Sequence, residues 1–314
     1  EKFVDKETTP CLWDPTNELG VVHPRSNVRV NQVGYLPNMV KKATYATEKS
    51  TSAVKWEVKN SSGTTVASGT AKDGGFDEDA GEYTQVIDFS EVTEPGTYHI
   101  EVSNTSDTWT NPKTGEVFKM YISHDFQIGN DVYDGALRDA LNYYYQNRSG
   151  MAIDEQYITS YNENDPGGKS KLAHEGGHAP SDDAYVQSAW VSSYGQVFDG
   201  DKDYQIDGVG GWYDAGDHGK YVVNGGISVW TLQNMYERSV VQKTDSKWAD
   251  GKTMAIPQKY SVGKVSWDGT GTPDILDEAR VELEWMFNMI VDSNDPYWGS
   301  KYAGFVYHKL HDHK

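Results

Sequence analysis

The spacing of apolar residues changes near Gly129, and that change poses two separate folding problems. Between Val28 and about Ile128, short β-rich runs alternate with turn residues: 28–33, 42–46, 53–59, 64–69, 83–88, 96–102 and 118–122. Seven such runs in about 100 residues predict a β-sandwich, because half-buried strands need period two and frequent tight turns. After Gly129 the period lengthens. Val132, Ala136, Leu137, Ala140, Leu141 and Tyr144 recur at helical spacing and predict an amphipathic helix over 130–147. Further helices are predicted over 184–197, 226–237 and 274–291. No strand pattern of any length separates them, so the second domain, 129–314, reads as all-α. Residues 1–27 are polar, interrupted by Pro10, Pro15 and Pro24, and read as an arm or linker. The junction 121–130 has no Pro, Ser or Gly-rich spacer, so the sandwich is expected to pack directly on the helical domain.

The densest chemistry lies in Gly-Gly-Trp-Tyr-Asp-Ala-Gly-Asp-His-Gly-Lys-Tyr, residues 210–221. Asp214 and Asp217 sit three residues apart on a Gly-rich loop, where the backbone is free enough to converge both carboxylates on one water. Trp212, Tyr213 and Tyr221 add flat apolar faces of the kind sugars stack on. The plainer alternative is a polar turn, since Asp-x-Gly-Asp also serves in Asx-turns. Composition narrows the partner. A net charge of −19 and a pI near 4.8 argue against nucleic acid and anionic membranes, which demand clustered Lys and Arg. The excess of Tyr (21) and Trp (10) over Phe (8) suits a sugar-binding cleft. A single cysteine, Cys11, excludes an internal disulfide framework and paired-Cys zinc sites. No apolar run approaches about 18 residues and no signal-like segment opens the numbering, so a soluble, mature chain is expected.

The string running from Gly210 through Lys220-Tyr221-Val222-Val223-Asn224 to Gly226 closely resembles the catalytic-base motif of glycoside hydrolase family 9, the cellulases. Arg29-Val30-Asn31-Gln32-Val33-Gly34-Tyr35-Leu36-Pro37 looks like the start of the immunoglobulin-like domain that precedes many of its catalytic domains. Pro273-Asp274-Ile275-Leu276-Asp277-Glu278-Ala279-Arg280, completed by Glu282-Leu283-Glu284-Trp285, is similar to a further string of that family. The resemblance implies a multidomain chain: an immunoglobulin-like β-sandwich followed by an all-α (α/α)6-barrel, with its cleft at one end of the helices. Residues 129–314 are too few for twelve helices of about 12 residues with loops, so only the first half of the barrel is expected here. The barrel would then be completed by a second chain or fragment. The implied activity is hydrolysis of β-1,4-glucosidic bonds in cellulose or related β-glucans with inversion, by a secreted, extracellular enzyme. Asp217 would act as general base, and Asp214 would orient or share the water. The general acid, a Glu, is expected beyond Lys314. Val306-Tyr307-His308-Lys309-Leu310 resembles the middle of such domains, which makes His308 a candidate sugar contact. Two carboxylates so close are expected to raise one pKa and titrate jointly.

No cofactor is required for this chemistry. Calcium occurs in the family, at positions that do not transfer to this sequence. The family's structural zinc uses two Cys and two His, whereas Ser149, Gly177 and Tyr213 stand at three of those positions. Only His178 remains, which argues against zinc. Three further patterns compete. His174-Glu175-Gly176-Gly177-His178 matches the H-E-x-x-H of zinc peptidases, but that mechanism needs a helix, and two glycines followed by Pro180 predict a loop. Asp199-Gly200-Asp201-Lys202-Asp203 begins like a calcium loop, yet Tyr204 and Gly210 stand where an EF-hand needs Gly and Glu, so a solvated acidic turn is expected. Gly168-Lys169-Ser170 lacks both the leading Gly and the strand of a phosphate loop. A different class of reading is a binding or interaction fragment without activity, which would follow from the missing acid.

Overall fold

The computed structural model describes residues 25–111, 114–185, 205–296 and 298–311. The chain divides into two compact units, one through Gly135 and one from Ala136.

The first unit holds β1 (Val28–Arg29), β2 (Lys42–Thr47), β3 (Lys55–Asn60), β4 (Thr65–Thr70), β5 (Lys72–Asp77), β6 (Glu82–Asp88), β7 (Gly96–Val102), β8 (Thr108–Thr110), β9 (Val117–Lys119) and β10 (Phe126–Ile128). Two antiparallel sheets, ordered β1-β2-β6-β5 and β10-β7-β3-β4, share a single apolar core, which makes this the expected sandwich. Tyr35 sits in that core, edge-on to Phe89 and Phe126 at 5.1 and 5.2 Å between ring centres. Its hydroxyl is satisfied by the Asn31 N–H and the Lys42 carbonyl.

Three strand expectations change. The run 28–33 ends at Arg29, because the Asn31 carboxamide turns the chain onto the Val33 N–H and Gly34 adopts φ 124°. The run 118–122 becomes β9, three residues paired, among the described residues, with β8 alone. β5 has no alternating pattern at all. Its sequence, KDGGFD, is mostly exposed and carries a bulge between Asp73 and Gly75, so pairing with β6 rather than burial makes it a strand.

The second unit contains α1 (Asp134–Gln146), whose first two residues fall on the boundary, α2 (Val222–Val241), α3 (Asp274–Asn288) and the single turn α4 (Gly299–Tyr302). The α2 helix begins four residues before the expected start at 226, running through Gly225 and Gly226. Glycine costs a helix about 1 kcal/mol relative to alanine. Here it is required, because a β-carbon on Gly225 would stand 1.9 Å from Glu282 Oε1 on α3. Leu141, Tyr145, Trp212, Leu232, Trp248, Ile275 and Val281 belong to the core around these helices.

The unit is not purely helical. It also carries β11 (Asp183–Tyr185), β12 (Gln205–Asp207), β13 (Lys220–Tyr221), β14 (Lys259–Val262), β15 (Val265–Asp268) and β16 (Lys309–Leu310), paired antiparallel as β11–β12, β13–β16 and β14–β15. The last pair is a hairpin on the two-residue turn Gly263-Lys264, with Gly263 at φ 55°. The helix expected over 184–197 begins as β11 instead, and its remainder lies outside the described residues. So does the acidic run 199–203.

Candidate functional site

The first part of the Gly-rich loop, through Tyr213, is held from beneath by several hydrogen bonds. Gly210 and Gly211 have φ 96° and 73°, and a β-carbon on Gly211 would lie 2.7 Å from Trp285 and 2.9 Å from Glu282. Glycine is therefore demanded there by both backbone and space. The segment after α1 pairs with the loop: Ser149 N–H donates to the Gly211 carbonyl at 2.8 Å, and Tyr213 N–H to the Asn147 carbonyl at 2.9 Å. Lys220, only 1% exposed, sends its ammonium inward to the Asp182 carboxylate (2.7 Å), the Gly210 carbonyl (3.0 Å) and the Gly208 carbonyl. Burial lowers its pKa, and the Asp182 charge opposes that shift.

Trp212 is buried with its ring 4.6 Å from that of Tyr144. Its indole N–H donates to Glu278 Oε1 at 2.9 Å and its backbone N–H to Glu282 Oε2 at 2.7 Å. Glu278 in turn meets Arg148 through two contacts, 3.1 and 2.7 Å, with neither side chain exposed.

On this base stands an exposed turn carrying both predicted carboxylates. Asp214 N–H donates to the Gly219 carbonyl at 2.8 Å, closing the turn, and His218 within it adopts φ 55°. Asp214 Oδ1 accepts from the Asn224 amide at 2.8 Å, and Asn224 comes from the first turn of α2. Asp217 accepts the Gly219 N–H at 3.0 Å and the Tyr221 hydroxyl at 3.3 Å. Its pKa lies below the ordinary carboxylate value, chiefly through the Gly219 N–H, with the Tyr221 hydroxyl and the nearby His311 acting in the same sense. Asp217 is therefore not a carboxyl of the pair whose value is raised, since donors to its ionised form outweigh burial. Tyr221 is raised by burial first and then by the charge of Asp217, to which its hydroxyl donates, with Asp214 acting in the same sense. A small cavity beside Asp214 is walled by Tyr143, Tyr144, Trp212, Asn224 and Glu282 among others.

His308 is exposed and offers its carbonyl to the Val222 N–H at 3.2 Å, next to the β13–β16 pair. The His311 ring stands 6.1 Å from the Tyr221 ring between centres, and its charge acts on Asp217. Sequence reasoning passed over His311, Asn224, Lys220 and the two α3 glutamates as functional groups. Asn224 and Lys220 stand inside the quoted string, and Glu278 and Glu282 share a helix face. Nothing in the spacing announces that this face meets Trp212.

The H-E-x-x-H stretch is a loop, with Gly176 at φ 102° and His178 at φ 55°, so it offers no helical face for a peptidase zinc. Among the described residues no group of three or more His, Cys, Asp or Glu is arranged to hold a metal ion. The positions matched to the family's zinc ligands do converge. Gly150 N–H donates to the Gly177 carbonyl, the Tyr213 hydroxyl lies against Gly177, and the His178 ring stands 5.5 Å from that of Tyr213. Zinc does not fit them: they offer one imidazole and no thiolate, and the Lys220 ammonium already stands 3.4 Å from the Ser149 hydroxyl.

Residues 23–107 match a family profile described as "Cellulase N-terminal ig-like domain", and residues 133–314 match one described as "Glycosyl hydrolase family 9". Endoglucanase C of Cellulomonas fimi is 40% identical over 290 residues, covering 91% of this chain and 22% of that protein. A cellulose 1,4-beta-cellobiosidase of Acetivibrio thermocellus is 38% identical over 311 residues, covering 96% of this chain and 31% of that protein. The crystal structure of a metagenome-derived glycoside hydrolase family 9 endoglucanase superposes with a TM-score of 0.58 at 30% identity, over 90% of this chain and 42% of that one. The chain therefore spans about a fifth to a third of the length of these curated relatives.

Proposed function

Because the chain belongs to glycosyl hydrolase family 9, we propose that it carries the water-activating part of an enzyme that hydrolyses β-1,4-glucosidic bonds in cellulose or related β-glucans with inversion. The observation that carries this reading is the pair of exposed carboxylates, Asp214 and Asp217, on a turn whose base is buried and hydrogen-bonded at Gly210 and Trp212. Asp217 stays ionised at working pH and takes the proton of the attacking water. Asp214, with one oxygen engaged by Asn224, shares and orients that water through the other. The general acid, a Glu from the remainder of such a catalytic domain, protonates the leaving oxygen from the opposite side of the bond. The two carboxyls must stand about 6.5–9.5 Å apart to leave room for water. Tyr143, Tyr144 and Tyr221 supply stacking faces beside the carboxylates, and His308 contacts sugar at the rim.

The domain itself is proposed to be the (α/α)6 barrel of the family, with further helices in the same or a second chain. In support, α2 exposes Val223 (65%), Ile227 (59%) and Trp230 (59%) at spacings of four and three, an apolar stripe without cover among the described residues. No helix among the described residues is long and apolar enough to cross a membrane. A polymeric glucan does not enter cells, so the enzyme is proposed to act after secretion. The chemistry runs on carboxylates and water without a cofactor, and any calcium would serve structure.

In the full-length protein, Asp217→Ala should cut turnover on soluble cellulose about 10²–10⁴-fold while leaving cellulose binding nearly intact. Turnover within tenfold of the parent removes Asp217 from the mechanism.

A further inference from the structure

The α3 helix reaches the Gly-rich loop with two carboxyl groups one turn apart, and they take both N–H donors of a single residue, Trp212. Their surroundings differ. Glu278 has the buried Arg148 guanidinium across it at 2.7 Å. Glu282 is 1% exposed, and the cation acting on it, Lys220, spends its ammonium on Asp182 and the carbonyls of Gly208 and Gly210. The Oε2 atom of Glu282 accepts the Trp212 backbone N–H. Oε1 rests against α2 at Gly225, so closely that any β-carbon there would collide with it. The same side chain walls the cavity beside Asp214 and Asn224. One carboxyl thus touches the loop, α2 and its own helix at the point where the loop turns toward the carboxylates. A buried carboxyl with so little compensation is more stable uncharged, and burial accordingly pushes the Glu282 pKa up to about 8.

We infer that Glu282 is a positioning residue for the reaction. Acting through Trp212 as an uncharged carboxylic acid, it anchors the peptide group two residues before Asp214 and so sets the aim of the Asp214–Asp217 turn. This rests on the reading of those two aspartates as the groups that act on water. The anchor is local and oxygen-specific. It needs an acceptor at Oε2, a side chain that fits against Gly225, and no net charge.

The test compares Glu282→Gln and Glu282→Leu in the full-length protein, with kcat and KM on a soluble cellulose derivative and the hydrogen-exchange rate of the Trp212 amide. Glutamine keeps both the acceptor and neutrality, and should recover kcat to within about threefold with parent-like exchange at Trp212. Leucine keeps bulk alone, and should lower kcat about tenfold or more at nearly unchanged KM, with faster exchange at Trp212, because a misaimed base costs rate rather than binding. Parent-like kcat and exchange in a folded leucine variant overturn the inference. A folded glutamine variant as impaired as leucine shows that the charged form is needed, and overturns it too. If the leucine variant does not fold, the glutamine variant decides by the same two readouts. A parent without glucanase activity sinks the functional reading instead, and Trp212 exchange alone then judges the anchor.

Discussion

At the scale of single residues, the two aspartates are made different by their neighbours. Asp217 is exposed, and a backbone N–H and the Tyr221 hydroxyl both favour its charged form. Asp214 has the Asn224 amide on one oxygen. A base held below its usual pKa is ready in the ionised form well into the acid range, at some cost in basicity. Replacing Tyr221 with Phe removes a donor to the charged form, so the Asp217 pKa should rise. The acidic limb of the kcat/KM–pH profile should then move to higher pH with the alkaline limb in place. An unmoved acidic limb would mean that Asp217 does not set it. Both aspartates were legible in the sequence because they stand three residues apart on a glycine-rich stretch, whose backbone is free enough to bring two carboxylates together. The contributions of Tyr221, Asn224 and His311 were not, although two of the three lie in the same string. Whether a phenol or an amide donates to a given carboxylate depends on the backbone path between them, and residue type is silent on that path.

At the scale of elements, α3 departs furthest from what its sequence announces. Its acidic residues Asp274, Asp277, Glu278 and Glu282 are all buried, which their place on a predicted helix does not announce. Glu278 is matched by Arg148. Asp274 accepts from Gln258 and the Gly251 N–H, but burial still raises its pKa. Asp277 is pushed up to about 6, by burial first, and among the described residues its Oδ2 has no hydrogen-bond partner to favour the charged form. Glu282 lies at about 8. For an acid whose folded pKa exceeds its unfolded one, the folded state binds the extra proton. Its stabilisation is then complete below the unfolded pKa and is lost as pH rises through the folded value. Asp277 acts this way from about 4 to 6 and Glu282 from about 4.5 to 8, each at up to about 1.4 kcal/mol per pH unit. Carboxylates with lowered values, such as Glu82, Glu101 and Asp217, act in the opposite sense only at more acid pH. The melting temperature should therefore fall between pH 5.5 and 8, and Glu282→Gln should flatten the fall. A melting temperature that rises over that interval would contradict the buried acids as the controlling groups.

At the scale of the whole molecule, the spacer-free junction near Gly129 leads to a prediction that the sandwich supports the catalytic domain. Removing residues 28–128 should lower the melting temperature of the remainder by several degrees, about what the loss of a few kcal/mol does in a domain of this size. An unchanged melting temperature with weaker cellulose affinity would make the sandwich a binding module instead. The sequence by itself determined the switch from period two to helical period, the sandwich, the positions of α1, α2 and α3 to within a few residues, and the loop that bears Asp214 and Asp217. These are local properties, written in side-chain periodicity and in glycine's backbone freedom. Only the tertiary structure decided that α2 extends back through Gly225 to Val222, that KDGGFD is a strand, and that α3 turns Glu278 and Glu282 inward onto Trp212, with Arg148 against Glu278. Those outcomes depend on which surfaces meet across long sequence separations. A glycine is a helix breaker until another helix needs its missing side chain, and a glutamate is a surface residue until a buried N–H needs an acceptor.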